Sequence, residues 1–75
     1  MSRVTMQTTS GALAIVSVGD YVTCTAPDGS AWTGLVNKGG RADLSRRGRK
    51  IKRADLTSNY WRLRSSLPFH SWVKP

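Results

Sequence analysis

The stretch Tyr21-Val22-Thr23-Cys24-Thr25-Ala26-Pro27-Asp28-Gly29-Ser30-Ala31-Trp32-Thr33-Gly34-Leu35-Val36-Asn37 decides the fold. Val22, Cys24 and Ala26 alternate with Tyr21, Thr23 and Thr25, the two-residue period of a half-buried strand. Pro27-Asp28-Gly29 then ends the strand, because proline presets φ, aspartate bonds its own backbone and glycine accepts positive φ. Trp32, Thr33, Leu35 and Val36 suit a second pleated segment. Gly34 inside that segment marks a bulge or the close approach of another backbone.

Working towards the C-terminus, Gly39-Gly40 breaks the chain and Ala42 and Leu44 alternate with Asp43 and Ser45. Arg46-Arg47-Gly48 supplies a short hairpin loop with a glycine able to take positive φ. In the fourth strand Ile51 points inward beside outward Lys50 and Lys52, with Arg49 and Arg53 at the margins of the apolar face, where long stems snorkel. Residues 54–63, with Leu56, Tyr60, Trp61 and Leu63, provide one helical turn and a short closing strand. Towards the N-terminus, residues 2–11 are rich in Ser and Thr without a sustained period, so residues 1–16 read as a flexible arm. Within it, residues 12–16 could add an edge strand or cover the core. The organisation expected is an arm at 1–16, a five-stranded, mainly β barrel at 17–64 and a tail at 65–75. Phe69 and Trp72 in that tail either dock on the barrel or anchor a partner.

Seventy-five residues make one domain, which buries only roughly 60% of its unfolded surface and has a thin stability margin. Cys24 is the only cysteine and His70 the only histidine. No internal disulfide and no metal-ligand set can be built, and no cofactor is expected. A reducing, cytoplasmic setting fits this composition. The longest apolar stretch near the start, residues 12–16, is too short to span a membrane.

Charge is the second strong signal. Residues 1–37 carry Arg3 against Asp20 and Asp28, whereas residues 38–75 carry eleven of the twelve Lys and Arg against Asp43 and Asp55. Lys38, Arg41, Arg46, Arg47, Arg49, Lys50, Lys52 and Arg53 crowd one stretch, opposed only by Asp43. Such crowding destabilises a compact state unless a polyanion neutralises it, which makes these eight residues the candidate nucleic-acid contacts. Arginine contributes a planar fork for phosphate, lysine a point charge. The expected surface is a stripe down the β-hairpin. If about five of these groups neutralise phosphates, affinity for duplex DNA falls with roughly the 4.5th power of salt.

Catalysis by acid and base needs two positioned titratable groups or a nucleophile with its base. Cys24 reads as a small core residue, and Asp20, Asp28 and Asp55 as turn or cap residues. A non-enzyme is expected, with RNA or DNA as partner and no membrane.

Val18-Gly19-Asp20-Tyr21-Val22, Trp32-Thr33-Gly34-Leu35-Val36, the Leu44-to-Ile51 hairpin and Ala54-Asp55-Leu56 leading into Trp61-Arg62-Leu63 together resemble a small SH3-like barrel of the KOW or Tudor type. Barrels of the KOW type occur in ribosomal proteins and transcription elongation factors, so the resemblance implies RNA, or a large RNA-handling enzyme such as RNA polymerase, as partner. In size and style the chain also resembles small bacteriophage transcription regulators, inhibitors or antiterminators, which implies the host cytoplasm and action through protein contact. Residues 29–36 are similar to a strand of type II dihydrofolate reductases. Their catalytic Val-Gln-Ile-Tyr segment is absent, since Lys50-Ile51-Lys52-Arg53 stands in its place.

Overall fold

The computed structural model describes residues 3–51 and 53–68. The chain is mainly β, built from antiparallel pairs: β1 (Arg3–Gln7), β2 (Leu13–Ser17), β3 (Tyr21–Thr25), β4 (Ala31–Asn37), a single 3-10 turn (Lys38–Gly40), β5 (Arg41–Arg46), β6 (Arg49–Lys50), β7 (Ala54–Asp55) and β8 (Arg62–Leu67). The main sheet runs in the order β6-β5-β4-β3-β8, with β7 also on the β5 edge. The expected five-stranded barrel is not reproduced as such: the sheet is an open path, and among the described residues no ladder joins β8 to β6 or β7 to close it.

The alternation around residues 21–37 has the expected consequence. Val22, Cys24 and Ala26 are buried, as are Gly34 and Val36 on β4, and β3 pairs β4 from Tyr21↔Leu35 to Thr25↔Ala31. Between them the Asp28 carboxylate accepts hydrogen bonds from the Ser30 backbone N–H at 2.9 Å and the Ser30 hydroxyl at 2.6 Å. Asp55 repeats the motif with Thr57, and Asp20 accepts the Ser17 N–H at 2.9 Å. All three aspartates are therefore turn-builders, as their sequence positions indicated. Gly34 sits where a side chain would strike the β5 backbone: a Cβ would lie 2.0 Å from the Asp43 carbonyl oxygen.

Four expectations are corrected. The described part of the supposed N-terminal arm is a hairpin, β1 with β2, paired from Arg3↔Ser17 to Gln7↔Leu13. Val4, Met6 and Val16 from its inner side join one core cluster with Val22, Cys24, Val36, Leu44, Leu56, Trp61 and Leu63. A sheet with one apolar face must cover it, and residues 3–17 help to do so. The hairpin is tied to β8 by the Thr9 N–H bond to the Leu63 carbonyl at 3.2 Å. The C-terminal boundary also moves, because β8 runs to Leu67 and pairs Tyr21 there, so residues 65–67 belong to the sheet rather than to a tail.

The fourth strand is the third correction. It is split into β6 and β7, with registers Ser45↔Lys50 and Ala42↔Ala54 that differ by one residue, so one extra residue is accommodated between them as a bulge. Strand edges are commonly kept short, charged and bulged, which discourages pairing with other chains. The helical turn expected within residues 54–63 is a series of turns, and the short 3-10 turn falls at Lys38–Gly40 instead.

Candidate nucleic-acid interface

The β5–β6 connection is a two-residue loop, Arg47-Gly48, with φ of 49° and 80°, flanked by the cross-strand pair Arg46↔Arg49. Two successive positive φ values are the signature of a type I′ turn, whose twist matches that of the flanking strands. Glycine takes this conformation freely, and Arg47 is held in it by the hairpin.

Pair registers then fix what this turn faces. Leu63 pairs Cys24, Cys24 pairs Trp32, and extending Thr33↔Ser45 by one step places Trp32 across from Arg46, which pairs Arg49. One row therefore crosses five strands on a single face. It starts buried at Leu63 and Cys24, passes half-buried Trp32 and Arg46, and ends exposed at Arg49. At its open end Trp32, Arg46, Arg47 and Arg49 line a cleft of about 310 Å³. On the neighbouring side Ser30, Thr33 and Ser45 add hydroxyls beside Arg46 and Arg47.

The Trp32 ring is fixed in place. Its indole N–H donates to the Ser30 hydroxyl at 3.0 Å, which in turn donates to Asp28. Its ring meets Trp61 edge to face, with centroids 6.4 Å apart, a favoured aromatic geometry. Hydrogen bonds from Ser30 hold the Asp28 carboxyl below its ordinary 3.8, and the nearby Arg46 charge lowers it further. One carboxylate is thus near enough to the cleft to feel the Arg46 charge. Arg46 and Arg49, like charges directly opposite, oppose the pairing of their own strands by roughly 0.2–1 kcal/mol.

Of the eight cations singled out in the sequence, the fold gathers Arg46, Arg47 and Arg49. Among the described residues the expected stripe is divided between two faces of the sheet. Lys38 and Arg41 are exposed at the far end of β5, about 17 Å from the tip at the rise of a strand. Arg41 and Arg46 are five positions apart and so face opposite sides of the sheet, and Asp43 shares the Arg41 face. Arg41 also acts on Asp55, whose carboxyl is lowered chiefly by its Thr57 hydrogen bonds. Lys50 pairs Ser45, so its side chain leaves on the face opposite Arg46 and Arg49. Arg53 is exposed near the bulge. Lys52, Phe69 and Trp72 lie outside the described residues.

Trp32 is the member that the charge pattern missed. Its parity with Gly34 and Val36 puts it on the inner face, where it is half-buried against the core cluster and also lines the cleft. Cys24 is fully buried and its thiol is pushed up to about 11 by burial, so it stays protonated and packs as a small apolar group. Among the described residues no group of three His, Cys, Asp or Glu could hold a metal ion, and no helix is long and apolar enough to cross a membrane.

No protein-family model matches the chain, and neither a curated protein nor a solved structure matches it significantly.

Proposed function

We propose that the chain is a non-enzymatic nucleic-acid-binding module that grips the phosphate backbone with the β5–β6 turn, in transcription or RNA handling. The observation that carries this reading is the cleft in which Arg46, Arg47 and Arg49 converge beside Trp32. Three guanidinium groups at a rigid turn suit two-point recognition of phosphate, and a polyanion offsets the repulsion between Arg46 and Arg49. The strand order β6-β5-β4-β3-β8, with the last strand beside the first of the meander, supports the SH3-like resemblance and with it RNA or DNA as partner.

The test is binding of short RNA and DNA to the isolated protein over a range of salt. Replacing Arg46, Arg47 and Arg49 together by alanine lowers the slope of log affinity against log salt by about 2.7 on duplex DNA and about 2.1 on single strands. An unchanged slope refutes the assignment of these residues.

A second reading is favoured by a separate observation. Leu35, Tyr21 and Leu67 form one cross-strand row on the outer face, with exposures of 42%, 38% and 50%. Apolar and aromatic anchors dominate protein contacts, so this row suits a small regulator docked on a large enzyme such as RNA polymerase. A partner that co-purifies after nuclease treatment and is lost on replacing Leu35 and Leu67 by serine would make this the primary role.

A further inference from the structure

Besides the arginine cleft, this end of the molecule carries a second groove, of about 390 Å³, on the other side of the β3–β4 turn. Tyr60 and Arg62 line it together with Thr9 and Asn59. Tyr60 is 54% exposed and meets Trp61 edge to face at 4.9 Å. Buried Trp61 therefore touches two aromatic rings, half-buried Trp32 and exposed Tyr60. Since its centroid is 6.4 Å from that of Trp32 and 4.9 Å from that of Tyr60, the outer rings are at most about 11 Å apart, close enough for a short run of nucleotides to touch both.

We propose that this end of the molecule binds unpaired nucleic acid, with one base stacked on Trp32 in the arginine cleft and a nearby base on Tyr60. The inference rests on the nucleic-acid reading above and names the form of nucleic acid it takes. Aromatic platforms flanked by cations are the arrangement that holds single strands without reading sequence, because every base has a π-face. The cleft volume lies at the low end of the roughly 300–1,000 Å³ of sites that enclose small ligands, and guanidinium planes can stack on a base as well as bind its phosphate. The hydrogen bond from Trp32 to Ser30 and the Trp61 contact hold the ring before binding, which avoids the cost of ordering it. In a duplex the bases are stacked on one another and cannot enter the cleft, so a duplex engages only the arginine tips.

The experiment compares labelled oligo(dT), oligo(rU) and a blunt DNA duplex, by fluorescence anisotropy at one low salt concentration, with the full chain and the variants W32L, W32F and Y60L. W32L and Y60L are each expected to weaken single-strand binding by about 5- to 150-fold, with W32L weakening duplex binding by a smaller factor, and W32F is expected to retain most of the single-strand binding. Because Tyr60 is largely exposed, Y60L decides the matter if W32L fails to fold by circular dichroism. Equal losses on single strand and duplex, or no loss on either, overturn the base-stacking assignment while the backbone-binding reading stands. A parent protein that binds none of the three overturns both.

Discussion

Replacing Gly34 by alanine adds one methyl group and should unfold much of the stability of this chain. The new Cβ would stand 2.0 Å from the Asp43 carbonyl oxygen and 2.8 Å from its carbon, whereas favourable carbon contacts begin near about 3.5 Å. Strands β4 and β5 must then separate by more than an ångström, and the obstacle is backbone on the partner strand, with no flexible side chain to swing aside. Overpacking costs typically about 1–3 kcal/mol and more where backbone has to move, and ladder hydrogen bonds stretched in the process each contribute about 0.5–1.5 kcal/mol. A loss of at least about 3 kcal/mol is expected, against a total of roughly 4–11 kcal/mol for a domain of this length. The thermal midpoint, followed by far-ultraviolet circular dichroism, should fall by about 12–24 °C, at 4–8 °C for each kcal/mol in a domain of this size. Gly48→Ala is the control: its φ is +80° but no atom lies within 4 Å of the added Cβ, so only the backbone cost of about 1–2 kcal/mol applies. A midpoint for Gly34→Ala within about 4 °C of the parent, or above that of Gly48→Ala, would refute the close-approach argument. The same substitution parts the strands that carry Trp32 and Arg46, so any folded fraction should bind nucleic acid less tightly.

Leu44→Ala removes a fully buried side chain at the centre of the core and should cost about 2–5 kcal/mol in denaturant unfolding. Arg49→Thr removes the like charge opposite Arg46 and should raise stability by a few tenths to about 1 kcal/mol, while weakening nucleic-acid binding; a drop in stability would show that the pair is not repulsive. The carboxyls of Asp28 and Asp55 are lowered from 3.8 in the folded chain, so their stabilisation is complete above that pH and is lost only as pH falls through the lower folded values. The thermal midpoint should therefore hold steady, as far as these two groups are concerned, from neutrality to about pH 4 and decline below it, and Asp28→Asn should flatten that acid limb. The Cys24 thiol, buried and raised to about 11, should react with a disulfide reagent at pH 8 only at the rate of unfolding, and faster in Gly34→Ala.

Much of the central sheet was legible because its residues announce themselves locally. Val22, Cys24 and Ala26 sit at a period of two, Asp28 and Gly29 close a turn, and Arg47-Gly48 closes another. Residues 3–17 were harder to read. Val4 and Met6 are separated by Thr5 among polar neighbours, and a short two-stranded hairpin has no stability of its own without a surface to cover. The split of the fourth strand was hidden for a similar reason, since a one-residue shift between β6 and β7 is a matter of pairing with β5 and leaves no mark on composition.

By itself the sequence determined a mainly β chain, its breaks at residues 27–29, 39–40 and 46–48, the lack of reactive cysteine or histidine clusters, and a concentration of positive charge from Lys38 onward. Periodicity, turn chemistry and net charge are properties of neighbours along the chain, so a linear reading recovers them. Which of those charges act together was decided only by the tertiary structure. Strand alternation sends Arg41 and Lys50 to one face and Arg46 and Arg49 to the other, and the β3–β4–β5–β6 registers bring Trp32 from a distant segment to complete the cleft. A register is a relation between strands set by how both bury their apolar faces.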